Sequence, residues 1–321
     1  MTMQRLDDFW AHDPFILPYA ADSTYYLYTA ARDQPAVVAY RSADLDAWDD
    51  EPVVVFRVPE GSWASATEAP WAPEVHEYRG RFYLFTTLHD SSRQLDVPGG
   101  ARFRAFAEDG GSEYIPTARG TVIAVADHPA GPFELLRADA PVAPAEFMTL
   151  DGTLFVDDDG AAWMVYAHEW VQIFDGTIEA VPLAPDLTAA SGDPILLFRG
   201  SEAALLRALP PSARTRMPYV TDGPQLRRLR SGALVMLWAT YHPRDDGSDY
   251  VETMAVSRNG QLTGPWEQLE TLVDGNAGHG MLFDTFDGRT MLVLHRGMGT
   301  PRVRAELHEV VETEDRVRLA D

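Results

Sequence analysis

Five short segments of this chain set an acidic residue or a histidine beside glycine or proline, then run into an apolar, aromatic-rich stretch. They are His12-Asp13-Pro14-Phe15-Ile16, Trp71-Ala72-Pro73-Glu74-Val75-His76, Leu150-Asp151-Gly152-Thr153-Leu154, Thr221-Asp222-Gly223-Pro224 and Gly278-His279-Gly280-Met281. Asp13, Glu74, Asp151, Asp222 and His279 follow one another at 61, 77, 71 and 57 residues. Look-alike units at such intervals suggest radial repetition. Equivalent strand starts would bring the carboxylates to one axis. Clustered carboxylates suit hydrolysis of a glycosidic bond, where one group protonates the leaving oxygen and another activates water. Asp before Gly or Pro is also an ordinary turn residue, so the chemistry depends on the elements that hold these acids together.

Helical periodicity is scarce. Short β-rich runs bounded by Gly, Pro and Asp dominate, which points to an all-β protein. Each unit reads as a strand, a tight turn and a second strand. The turns fall near Ala21-Asp22-Ser23, Arg79-Gly80, Asp158-Asp159-Gly160, Ser231-Gly232 and Asp287-Gly288. Third strands echo one another in Val37–Leu45 and Glu252–Arg258, and Gly-Pro-aromatic-Glu recurs at 131–134 and 264–267. A four-strand sheet repeated about an axis is a β-propeller. The expected architecture is one five-bladed propeller spanning residues 1–321, with the Arg302–Val310 tail supplying outer strands of the closing blade. The polar stretch Ser91–Thr117 is long for a connection and reads either as a substrate-shaping loop or as a flexible insertion. Asp157–Gly160 lacks the twelfth-position Glu of a calcium loop and reads as a solvated hairpin.

In a propeller the innermost strand starts on one face and the second strand returns to it. The first set gives Asp13, Glu74, Asp151, Asp222 and His279; the second gives His89, His168, Glu169, Trp170, Tyr241, His242, His295 and Arg296. This pooling of acids, imidazoles and aromatics at one rim marks the expected site. Trp71 and Trp170 are expected to stack on a sugar face, with Glu74, His168 and Arg296 near sugar hydroxyls. Trp48, Trp163, Trp238 and Trp266 suit blade packing.

Composition narrows the partners. The net charge of −23 over 321 residues argues against binding a nucleic-acid backbone. No run of eighteen apolar residues predicts a membrane span. There is no cysteine, so disulfides and thiolate metal sites are excluded. All 26 basic residues are arginine, which removes Schiff-base and P-loop lysine chemistry. The segment Met1–Asp8 lacks a basic start leading into an apolar stretch, and with the missing cysteines it gives the expectation of a cytoplasmic protein. Oligomeric state has no signature here.

The motifs in their order resemble glycoside hydrolase family 43, in the five-bladed superfamily of arabinanases and β-fructosidases. The resemblance covers nearly the whole chain. It implies an inverting mechanism with three acids: a general base matching Asp13, an acid that tunes and orients its partner matching Asp151, and a proton donor at the start of blade four. That donor is usually Glu before Gly-Pro or Ala-Pro; here the position holds Asp222, one methylene shorter. Either Asp222 donates the proton, or Glu169 does so while Asp222 binds sugar hydroxyls. No cofactor is required, but the family often places a His facing a channel cation, so calcium or another cation near His279 is allowed for, with water as most of its ligands. The expected function is exo-acting release of a terminal pentose, of α-L-arabinofuranosidase or β-xylosidase type, from small carbohydrates. The alternatives are a non-catalytic sugar-binding propeller and a related enzyme such as a glycoside phosphorylase, for which Arg207–Arg216 is the candidate phosphate site.

Overall fold

Alternating apolar strands with tight turns leave each sheet with two faces to bury, and here neighbouring sheets bury them against each other. The computed structural model describes residues 3–97, 114–209, 219–244 and 247–320. The first sheet runs outward through Phe15–Tyr19, Thr24–Ala30, Ala36–Ser42 and Val53–Arg57, with Trp48–Asp49 and Met3–Gln4 added at its edge. The second holds Trp71–Tyr78, Arg81–Gln94, Thr117–Ala126 and Glu134–Leu135. The third holds Thr149–Val156, Ala162–His168, Thr177–Pro182 and Ile195–Arg199. An eight-stranded sheet follows, and one parallel bridge, Val251 to Ala277, divides it. On one side lie Asp222–Arg228, Leu234–Arg244, Gly247–Ser257 and Glu267–Gln268; on the other lie Ala277–Asp284, Thr290–Arg296, Arg304–Glu312 and Val317–Leu319. We refer to these halves as the fourth and fifth sheets. Treating the bridge as a boundary is what brings the number of sheets to five.

The core fills the spaces between sheets. Tyr83 and Phe85 of the second sheet meet Met164 and Tyr166 of the third; Val165 and Phe198 of the third meet Met236 and Trp238 of the fourth; Leu237 and Val256 of the fourth meet Leu292 and Leu294 of the fifth. Phe15 and Leu27 of the first sheet share a cluster with Leu84 of the second and with Phe283 and Val293 of the fifth. This last cluster joins the two ends of the chain. The Phe286 backbone N–H also donates to the Tyr25 hydroxyl across the seam, at 2.9 Å. Trp48 and Trp238 are fully buried, as packing residues should be.

Local chemistry explains the hairpins. Arg79 and Gly80 both take positive φ (51° and 77°) between the paired residues Tyr78 and Arg81, the geometry of a two-residue primed turn. The Asp157 carboxylate accepts the backbone N–H groups of Asp159 and Ala161 and the Trp163 indole N–H, so this acidic turn is a structural hairpin. Both Gly-Pro-aromatic repeats lead into short outer strands, Glu134–Leu135 and Glu267–Gln268. The tail supplies the third and outermost strands of the fifth sheet. Of the long stretch Ser91–Thr117, residues 98–113 lie outside the described residues.

Candidate active site

Strand register shows how the inner strands aim their side chains. In the second sheet Trp71 pairs with Thr87 and Glu74 with Phe85; in the third Leu150 pairs with Ala167 and Thr153 with Val165. In the fourth Asp222 pairs with Ala239 and Gln225 with Leu237; in the fifth Gly278 pairs with His295 and Met281 with Val293. Each inner strand advances three residues while its partner advances two, which is a β-bulge of one extra residue. The second residue of each bulge is left-handed: Ala72 at φ 42°, Asp151 at 56°, Gly223 at 53° and His279 at 57°. Asp13, at φ 47°, holds the matching place in the first sheet, two residues before the Phe15–Tyr28 pair.

The bulge turns two consecutive residues toward one cavity of about 990 Å³. From the leading position come His12, Trp71, Leu150 and Asp222; from the left-handed position come Asp13, Ala72, Asp151 and His279. Glu169, Trp170, Arg119, Tyr241 and Tyr250 also line the cavity, together with Trp10, Arg32, Tyr114 and Ser248. Asp222 is therefore not the counterpart of Asp13 and Asp151 but stands one residue earlier. Glu74 stands two residues later, back in the regular ladder. Its carboxylate pairs with His76 Nε2 at 2.9 Å and does not line the cavity. His168 is buried against Gln172 and Glu179, and Arg296 is held by Glu306 and by the carbonyls of Asp274 and Gly275. Glu74, His168 and Arg296, expected near sugar hydroxyls, thus do not line the cavity and are held by these protein partners instead. Trp71, 42% exposed, and Trp170 do face it.

Electrostatics separates the carboxyls. Burial pushes Asp13 up, but the imidazoles of His12 and His279 overcome this and hold it well below the usual carboxylate range. His12 Nδ1 lies 2.8 Å from one Asp13 oxygen, while His279 Nδ1 and His295 Nδ1 lie 3.2 and 3.1 Å from the other. Asp222 shows the opposite behaviour. Burial, with the charges of Glu169 and Asp13, pushes it up to about 8, against a hydrogen bond donated by the Tyr250 hydroxyl at 3.1 Å. Asp151 is pushed well up by burial and by Asp222 and Asp13, against the Gly223 N–H donated to it at 3.0 Å. Glu169 is raised by burial, opposed by Arg119, whose guanidinium contacts it at 2.5 Å. These directions set Asp13 toward the ionised and Asp222 toward the protonated form, the division that a base and an acid would need.

The described residues match a known family. The sequence profile of Glycosyl hydrolases family 43 spans residues 8–313. This chain belongs to glycosyl hydrolases family 43. It is a glycoside hydrolase with a nearly all-β propeller fold. An endo-arabinase from Bacteroides thetaiotaomicron is 32% identical and superimposes with a TM-score of 0.80, covering 98% of this chain and 99% of that one. An α-L-arabinofuranosidase from Lactobacillus brevis shares the fold, with a TM-score of 0.69 at 16% identity over 97% and 95% of the two chains. Among curated proteins, the extracellular exo-alpha-(1->5)-L-arabinofuranosidase ArbA of Cellvibrio japonicus is 23% identical over 88% of this chain and 78% of its own.

Several polar lining residues of this family 43 member escape a reading of inner-strand starts and second-strand ends, Arg119 and Tyr250 among them. Arg119 lies in the third strand of the second sheet, opposite His89, and Tyr250 in the third strand of the fourth, opposite Tyr241. Third strands also begin at the mouth, because strand direction alternates. A lone Arg before the apolar run Thr121–Ala126 was the available signal. The Arg119 guanidinium also lies 4.3 Å from the Trp71 ring centroid, which fixes the indole beside the acids. Arg207 does not line the cavity, and residues 210–216 of the expected phosphate site lie outside the described residues.

Among the described residues, His12, Asp13 and His295 bring two imidazole nitrogens and one carboxylate oxygen within 4.8 Å. This set supplies one oxygen, so calcium, which takes six to eight, would draw most of its ligands from water, as expected of a cation near His279. Its atoms are already engaged with one another, and His279 Nδ1 faces Asp13 and Asp151. No chemical step below runs through a cation.

Proposed function

We propose that this enzyme is an inverting, exo-acting hydrolase that releases a terminal pentose, of the α-L-arabinofuranosyl or β-xylosyl type, from small glycosides. The observation that carries the reading is the opposite protonation of Asp13 and Asp222 at one cavity. Asp13 removes a proton from water as the water oxygen bonds to the anomeric carbon. Asp222 gives its proton to the departing glycosidic oxygen as that bond breaks. Asp151, which accepts the Gly223 N–H beside Asp222 and is itself pushed well up by burial and by Asp222 and Asp13, orients the acid. Direct displacement by water inverts the anomeric centre. Trp71 and Trp170 offer faces for a sugar.

Arabinose-releasing relatives support the pentose, and the one from Cellvibrio is named as exo-acting. The Bacteroides neighbour is named an endo-arabinase, so chain position has to be measured here. The test is hydrolysis of nitrophenyl α-L-arabinofuranoside and β-D-xyloside followed by proton NMR. Inverted product from a terminal residue is expected; a retained anomer or cleavage only within polymers refutes the reading.

A further inference from the structure

Around the axis the five left-handed inner-strand positions carry Asp13, Ala72, Asp151, Gly223 and His279. Three of these side chains meet, since His279 Nδ1 lies 3.2 Å from Asp13 and 3.8 Å from Asp151. A fourth is absent for a steric reason: a Cβ on Gly223 would come within 2.9 Å of the His279 ring. The fifth is a methyl group. Ala72 is buried, lines the cavity and stands in ring order between Asp13 and Asp151. The third sheet packs against its strand pair, as Thr87, the partner of Trp71, accepts the Asp151 backbone N–H at 2.9 Å.

Left-handed backbone strains any residue with a Cβ, and alanine has no side-chain polar group to offset the strain. Glycine would sit there with less strain. A strained methyl on the wall of a cavity points to a use on the cavity side. We propose that Ala72 sets the size of the reacting sugar, its methyl filling the space that an extra exocyclic carbon arm would need. A sugar whose anomeric carbon faces Asp13 and whose ring spans toward Asp151 passes over Ala72. A pentose ring fits; a ring extended by a hydroxymethyl or dihydroxyethyl arm meets the methyl. This inference rests on the pentose reading above and extends it to one residue.

The experiment compares wild type, Ala72→Gly and Ala72→Val on two substrate pairs. These are nitrophenyl α-L-arabinofuranoside with β-D-galactofuranoside, and β-D-xyloside with β-D-glucoside. One carbon group in a pocket discriminates by roughly 10–200-fold. Ala72→Gly is expected to raise the hexoside-to-pentoside ratio of kcat/KM about tenfold or more, with a melting temperature equal to or above wild type. Ala72→Val is expected to lower pentoside turnover by about tenfold while remaining folded by circular dichroism. A ratio within about twofold of wild type in the glycine variant overturns the inference. So does an equal loss on both members of a pair together with a lower melting temperature, the mark of a purely structural role. A wild-type enzyme that hydrolyses neither pentoside overturns the pentose reading and this inference with it. A wild-type pentosidase whose ratio does not move overturns the inference alone.

Discussion

Replacing Asp222 with asparagine removes the proton but keeps the shape and the hydrogen bond from Tyr250. Asp222 is held at about 8, so wild-type kcat/KM should stay level to that pH and then fall about tenfold per unit as the acid ionises. General acid catalysis is worth roughly 10²–10⁴-fold, about 3–5 kcal/mol at 1.36 kcal/mol per decade. The loss depends on the leaving group. With methyl or alkyl arabinofuranosides, whose alcohols leave poorly, Asp222→Asn should cost that full factor. With a dinitrophenyl leaving group, which needs no proton, the cost should stay within about tenfold and the alkaline limb should vanish. The assay is a pair of pH profiles on both substrates for wild type, Asp222→Asn and Glu169→Gln. Equal losses on both substrates in Asp222→Asn would falsify the assignment. If Glu169→Gln alone shows the leaving-group split, the donor is Glu169 and the argument from protonation fails.

The neighbours of Asp222 should move its limb in opposite directions. Glu169→Gln removes a negative charge that raises Asp222, so the alkaline limb should shift to lower pH, whereas Tyr250→Phe removes a donor to its anion, so the limb should shift higher; parallel shifts would refute the electrostatic account. Gly223→Ala drives a methyl to within 2.9 Å of the His279 ring at a φ of 53°, and a loss of about 1–3 kcal/mol of stability is expected from overpacking, with turnover down more than tenfold. Urea titration and kinetics check this, and a variant as stable and active as wild type rules it out. Glu252 is fully buried, its Oε2 accepting the Gly280 N–H at 2.7 Å while Oε1 is without a partner among the described residues. Burial holds it well above the ordinary carboxylate value despite the Gly280 and His279 N–H groups. The native state therefore keeps a proton that the unfolded chain releases, and stability declines as pH rises above the ordinary value. Glu252→Gln should flatten that decline above the ordinary carboxylate range in denaturant melts; an unchanged slope would show that Glu252 does not titrate this way.

How much of this was legible in the sequence follows from what motifs encode. Asp13, Asp151 and His279 could be found because Gly or Pro beside a polar residue marks a left-handed or irregular strand start. Their equivalence with Glu74 and Asp222 could not be judged, because the bulge moves register by one residue and leaves no fixed spacing in the chain. Ala72 is the true counterpart of Asp13, and a reading for acids passes over it. Arg119 and Tyr250 were missed because a third strand begins at the same mouth as a first. His168 and Arg296 were placed at the rim because second strands end there, yet Glu179, Gln172 and Glu306 draw those side chains away from the cavity. The packing tryptophans were readable, since an indole within an alternating apolar run has only the core to enter.

The base and the acid owe their opposite states to different parts of the chain. Asp13 is held low chiefly by His12 beside it in the first sheet, with His279 and His295 of the fifth sheet adding to the effect. Its backbone N–H also reaches His295 Nδ1 at 3.2 Å. His12 within the first sheet gives the base most of its low affinity for protons, and the fifth sheet adds to it on closing. Asp222 is raised instead by burial and by carboxylates, Glu169 from the third sheet and Asp13 from the first. Tyr250 couples the two environments: its ring stacks on His295 at 5.5 Å while its hydroxyl donates to Asp222. A loosened seam would withdraw His279 and His295 from Asp13 and raise its proton affinity in part, with His12 still beside it. Two carboxyls of similar acidity share protons instead of dividing tasks. Closure of the ring thus widens a difference in proton affinity between Asp13 and Asp222 to which His12 within the first sheet already contributes.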